Sequence, residues 1–252
     1  VIAYNGAGFK GWQRGNGRTV QSTVEEAIGL ALGRASQGVV RDREPVSVDG
    51  AGRTDAGVHA TGQVASAVLP SFVDPVLLLE AVNRLLPDDV AVRSIEETDD
   101  RFHARYRATA KTYRYRVVDG PVGNPFLRQF SWRVPQTLDI ARMQAAAQAF
   151  IGENDFSAFT AIKGKKSKVR IIHSIGFERV DAFGGSPLDI SIRGNGFLWN
   201  QVRIMVCALV EAGKGDADAH SITRILESGD RSLAPEPAPA RGLTLVSVEY
   251  AG

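Results

Sequence analysis

From Thr112 to Val118 the side chains alternate. Tyr113, Tyr115 and Val117 fall on one face, and Thr112, Arg114 and Arg116 on the other. Successive side chains of a strand point to opposite sides, so this segment reads as a strand with one cationic face, ended by Asp119-Gly120-Pro121. Helical spacing lies on both sides of it. Ser22 with Glu25 reads as a capping box before the apolar stripe Val24, Ala27, Ile28 and Ala31, a helix closing near Gly33. Asp74-Pro75 reads as a helix start, carried to about Leu86. Leu138–Phe150, Asn200–Ala212 (stopped by Gly213) and Ser221–Leu226 also read as helices. Strands are expected at Val1–Tyr4, Ile171–Val180, Leu188–Arg193 and Leu243–Tyr250, the middle two joined by a turn at Phe183–Ser186. Helices and strands are mixed in both halves, each with its own Gly-rich strand-to-helix loop. That predicts an α+β protein of two similar-sized subdomains, 1–104 and 105–252. The first strand opens on Val1 without Met, and a few residues are expected to precede it.

Chemistry is narrowed by what is scarce. Cys207 is the one cysteine, which excludes a disulfide framework and any multi-cysteine metal site. The four histidines, His59, His103, His173 and His220, are scattered, and a structural role is expected for each. No metal is expected. No apolar run approaches the roughly 20 residues of a membrane span and no signal peptide is visible, so a cytoplasmic protein is expected.

Charge is balanced in sum and uneven in place. The chain carries 30 Lys+Arg and 28 Asp+Glu, a net +2. Six of the cations (Arg101, Arg105, Arg107, Lys111, Arg114, Arg116) lie between 101 and 116, and five (Lys163, Lys165, Lys166, Lys168, Arg170) between 163 and 170, with no acid in either run. Such clustering attracts a polyanion without making the whole protein strongly basic. Phe102, Tyr106, Tyr113 and Tyr115 are interleaved in the first run, and flat rings beside cations suit stacking on bases next to phosphates. Two solvated faces are the plainer reading.

The densest segment is Asp49-Gly50-Ala51-Gly52-Arg53-Thr54-Asp55-Ala56-Gly57-Val58-His59-Ala60. Its glycines permit close approach of a ligand to the backbone. They bracket an arginine and an aspartate that do not easily share a core. Two readings stand: a surface turn with a structural Arg–Asp pair, or an active-site loop whose carboxylate a cation keeps ionised.

Gly52–Ala60 resembles the signature of the TruA family of tRNA pseudouridine synthases. The resemblance runs along nearly the whole chain. Tyr4-Asn5-Gly6 through Trp12-Gln13, with Val20-Gln21, is similar to the family's opening motif; Phe102-His103-Ala104-Arg105 and Lys111–Tyr115 resemble the stretch carrying its active-site tyrosine. Gly152–Phe156 is similar to a turn in its second half, Gly196-Phe197-Leu198 through Val202-Arg203 to the segment supplying its arginine, and Ala238–Leu243 to its C-terminal signature. Asn5 and Trp199-Asn200-Gln201 depart from the usual bacterial pattern, and both bear on which tRNA position is chosen.

What the resemblance implies is concrete. The fold is the pseudouridine synthase fold, two subdomains with mostly antiparallel sheets flanked by helices and a basic cleft between them. The activity is cofactor-free isomerisation of uridine to pseudouridine in tRNA, at positions 38, 39 and 40 of the anticodon stem-loop, by a cytoplasmic homodimer. Asp55 is the catalytic residue, as nucleophile at C1′ or as base at C2′. Arg203 is the cation that keeps it ionised. Tyr113 stacks on the uracil and relays the C5 proton. Leu243 forms an apolar wall, and Arg53 handles the flipped nucleotide. Lys165, Lys166, Lys168, Arg105 and Arg114 are the expected RNA contacts, with Lys163–Arg170 either a mobile flap or a solvated loop. Two rival classes remain: a non-catalytic α+β RNA-binding protein, and a nucleoside-cleaving glycosidase. The second usually needs paired carboxylates, and no second acid stands out beside Asp55.

Overall fold

The computed structural model describes residues 1–35, 46–70, 73–164 and 166–251. In chain order the elements are β1 (Ile2–Tyr4), α1 (Val20–Ala35), β2 (Asp49–Gly50), β3 (His59–Gln63), β4 (Ala65–Ser66), α2 (Pro75–Asn83), β5 (Val90–Val92), β6 (Ala108–Asp119), β7 (Trp132–Val134), α3 (Ile140–Ala147), β8 (Gly152–Asp155), β9 (Val169–Arg179), β10 (Leu188–Gly194), α4 (Gln201–Lys214), α5 (Ala219–Ser228) and β11 (Leu243–Tyr250). Two compact units result. One is Val1–Ala108 with Leu245–Gly252, the other Thr109–Thr244. The sequence division after residue 104 kept the last strand with the second subdomain; from Leu245 onward that strand belongs to the first unit.

In the first unit the strands run β5-β1-β3-β11, and β1 is antiparallel to both β3 and β5. The expected stripe of α1, Val24, Ala27, Ile28 and Ala31, is buried, together with Val20. The cap differs from expectation. Thr19 Oγ1 accepts from Ser22 N at 3.3 Å and Ser22 Oγ donates to Thr19 O, so the helix begins one turn earlier and Ser22 lies in its first turn. Glu25 is released for another task described below. Asp74 caps α2 through Val76 N and Leu77 N. That helix ends at Asn83, short of Leu86, and the Asn83 amide binds both the N–H and the C=O of Val92 on β5.

The second unit orders its strands β6-β10-β9-β8, all antiparallel, with β7 added parallel to β6. The alternation that defined β6 is realised in its register. Tyr113, Tyr115 and Val117 oppose Ile192, Ile190 and Leu188, and all six are buried. Each fully buried side chain of this kind stabilises by about 1.5–3 kcal/mol. On the other face Arg116 opposes Asp189. Gly152–Asp155, expected as a turn, is β8, because its backbone pairs with Val169–Ile172 of β9. α4 passes its expected stop: Gly213 lies inside the helix, close against Met143 of α3, and Gly215 ends it at φ +91° with its N–H on Ala212 O. That left-handed residue is the usual helix terminator.

Candidate active site

The Gly52–Ala60 segment leads from β2 into β3, and the opening segment of the chain braces it. Tyr4 Oη and Thr54 Oγ1 are 2.7 Å apart, Trp12 N donates to Thr54 O at 3.0 Å, and Gly6 N donates to His59 Nδ1 at 3.1 Å. Gln63 Nε2 reaches Gly52 O at 2.8 Å, and Val58 N closes the turn on Asp55 O at 3.1 Å. Burial pushes the Tyr4 phenol far up, so it stays a neutral hydrogen-bonding group. These bonds fix the turn on both sides of Asp55. The aspartate is half-buried, and Arg53 stands exposed beside it. His59 is buried and works as an acceptor for backbone.

Glu25 extends the bracing. Its carboxylate, 6% exposed, accepts from Val48 N at 3.0 Å, from Gln21 Nε2 at 3.1 Å and from Arg14 Nε at 3.0 Å. It thereby ties α1, the loop after β1 and the start of β2 into one frame. Beside that frame lies a cleft of about 180 Å³, bordered by Trp12, Asp49, Arg53, His103, Arg105 and Tyr106. Sequence reading assigned no role to Asp49, expected His103 to be structural, and counted Tyr106 among the rings suited to stacking on bases. The aromatics among cations after Phe102 were the available signal; Asp49 had none.

The second unit holds the other residues of the resemblance. Tyr113 is buried on β6 with its ring edge-on to Phe197 at 5.2 Å between centroids. Arg203 lies in the first turn of α4. Its Nε donates to Ala238 O at 2.6 Å and its Nη1 to Asn200 Oδ1 at 3.0 Å, while Ala238 N donates back to Arg203 O. Asn200 adopts φ +62°, a conformation asparagine tolerates better than most residues. Tyr115 Oη donates to Pro239 O at 2.7 Å, and Gly242 lies against the Tyr115 ring. The proline-rich link is thus held to α4 and β6, and Leu243, which follows, is buried.

The expected RNA contacts divide. Arg105 is exposed, whereas Arg114 and Arg116 share Asp189: Arg116 forms a two-pronged pair at 2.7 Å, and Arg114 Nε lies 3.7 Å from the same carboxylate. The cationic face of β6 is partly neutralised. Lys166 is exposed and Lys168 half-exposed; Lys165 lies outside the described residues. Among the described residues no three His, Cys, Asp or Glu side chains gather as a metal site, and no helix is long and apolar enough to cross a membrane.

A family model described as tRNA pseudouridine synthase matches residues 1–107 and 146–251. Curated relatives named tRNA pseudouridine synthase A are similar over almost the full chain. That of Bacillus sp. (strain KSM-64) is 40% identical, covering 99% of this chain and 98% of its own. That of Acetivibrio thermocellus is 41% identical with the same coverage, and that of Limosilactobacillus fermentum 42%, covering 99% of this chain and 94% of its own.

Proposed function

The chain belongs to the tRNA pseudouridine synthase family, and on that premise we propose that it isomerises uridine to pseudouridine in the anticodon stem-loop of tRNA, at positions 38, 39 and 40, with Asp55 as the nucleophile or base. The N1–C1′ bond breaks, the uracil turns while bound, C5 bonds to C1′, and the C5 proton leaves as N1 gains one. The product is an isomer of the substrate, so the chemistry consumes no co-reactant.

The observation that carries this reading is the fixed backbone around Asp55. Thr54 O, Asp55 O and Gly52 O are all occupied by donors from within the first unit, so the half-buried carboxylate is presented by a preorganised turn. A partly desolvated carboxylate needs a cation to stay charged, and the resemblance gives that role to Arg203. Tyr113 is the stacking and proton-relay group, Leu243 the apolar wall and Arg53 the group at the flipped nucleotide. Lys166, Lys168, Lys165, Arg105 and Arg114 are the phosphate contacts, within a cytoplasmic homodimer that takes one tRNA across both copies.

The test is incubation with unmodified tRNA followed by mapping of pseudouridine at each nucleotide. Wild type is expected to modify positions 38 to 40. Asp55→Asn is expected to bind tRNA within about twofold of wild type while losing at least ~10³-fold in rate. An Asp55→Asn enzyme of full activity overturns the catalytic assignment. Modification confined to another stem overturns the choice of target.

A further inference from the structure

The cleft bordered by Asp49, Arg53, His103, Arg105 and Tyr106 lies wholly within the first unit and has a chemistry of its own. Tyr106 is a large ring left 77% exposed, an arrangement that costs apolar hydration unless something covers it. His103 packs at 4.3 Å between centroids on one side of that ring, and the Arg105 guanidinium lies 6.0 Å from the ring centre. Arg105 N donates to His103 Nδ1 at 3.1 Å, which fixes the imidazole and turns its Nε2 toward Asp49 Oδ2 at 3.9 Å, beyond hydrogen-bond reach. The Asp49 side chain keeps 64% of its surface in water. Two cations, a stacking ring and one carboxylate therefore border a volume of about 180 Å³, well beyond the roughly 10–15 Å³ that one water needs.

Resting on the reading of this chain as a tRNA-modifying enzyme, we propose that this cleft is a base-reading subsite that takes an unpaired guanine of the substrate RNA other than the target uridine. The carboxylate selects the base. Ionised, it only accepts hydrogen bonds. Guanine alone presents two adjacent donors, N1–H and N2–H, that match its two oxygens. Uracil N3–H is flanked by carbonyls that repel a carboxylate, and cytosine and adenine set a ring-nitrogen acceptor beside their amino group. Tyr106 supplies the stacking platform, and Arg105 takes the adjoining phosphate. A carboxylate among phosphate-binding cations otherwise only weakens binding to a polyanion.

The experiment is equilibrium binding of 5′-GMP, 5′-AMP, 5′-CMP and 5′-UMP to the full chain, read by ligand-observed NMR, with an unmodified tRNA transcript as competitor. GMP is expected to bind about tenfold more tightly than the other three. Asp49→Asn is expected to reduce that preference to within about twofold, and Tyr106→Ala to weaken all four about fivefold alike. Unmodified tRNA is expected to displace GMP. Equal binding of the four, no saturation up to about 10 mM, or an intact preference in Asp49→Asn overturns the guanine subsite. GMP that stays bound at saturating tRNA overturns its assignment to the RNA. Asp55→Asn separates the two readings: its GMP preference should match wild type, whereas its turnover tests only the catalytic role.

Discussion

Single residues decide how this chain places its charge. Asp119, at the end of β6, has a side chain only 3% exposed and pairs with Arg179 while accepting from Leu138 N. Burial pushes its carboxyl up, but the bonds from Arg179 and Leu138 outweigh that, and the group titrates below the ordinary carboxylate range. A carboxylate whose folded pKa is depressed stabilises the fold above its unfolded value, and that contribution is lost as the pH falls through the folded value. Asp119→Asn should therefore cost about 1–3 kcal/mol at neutral pH. The gap to wild type should close as the pH drops below about 4, as read from urea midpoints across pH. Equal midpoints at pH 7 would show the pair to be idle. Asp55, Tyr113 and Arg203 were singled out at this scale because each sits in a short motif that resembles the family's. The work of Glu25 was not. Its partners Val48 and Arg14 come from segments that only the folded chain brings to it, and its spacing from Ser22 pointed to a cap that Thr19 supplies instead.

Elements were legible in proportion to their length. The strand alternation of β6 and the apolar stripe of α1 span enough residues to show a period. β2, β4, β5 and β7 have two or three residues each, too few for any pattern, and partners distant in sequence define them. β8 carries Gly and Asn in turn-like order, yet pairs along its length with β9. The packing of elements around the Asp55 loop gives a sharp prediction. A Cβ on Gly6, just after β1, would lie 1.9 Å from Val58 O, a backbone atom with no freedom to yield. Gly6→Ala should lower the melting temperature by ~10 °C or more and remove most activity by displacing the turn that holds Asp55. Gly29, inside α1, has nothing within 4 Å of its would-be Cβ. Gly29→Ala should instead raise stability by up to about 1 kcal/mol. Calorimetry of the two variants side by side checks both signs; a neutral Gly6→Ala would mean the brace is dispensable.

For the molecule as a whole, the informative quantity is charge arrangement rather than net charge. The two basic runs were visible in the sequence, but the commitment of Arg114 and Arg116 to Asp189 was not, since Asp189 arrives from β10, over 70 residues away. The lysine run should accordingly carry more of the salt-dependent attraction than β6 does. Lys166→Gln with Lys168→Gln should weaken tRNA binding and lower the slope of log K against log salt by about 2, measured by filter binding between 50 and 200 mM salt. An unchanged slope would make the run a solvated loop. The last strand adds a consequence for biogenesis. β3 (His59–Gln63) hydrogen-bonds to β11 (Leu243–Tyr250), a strand translated long after it. While the polypeptide emerges from the ribosome, the N-terminal sheet stays one strand short, with β3 exposing an open edge until residues 243–250 have been made. Nascent chains stalled before residue 243 should therefore recruit chaperones through that edge and mature only once β11 is supplied.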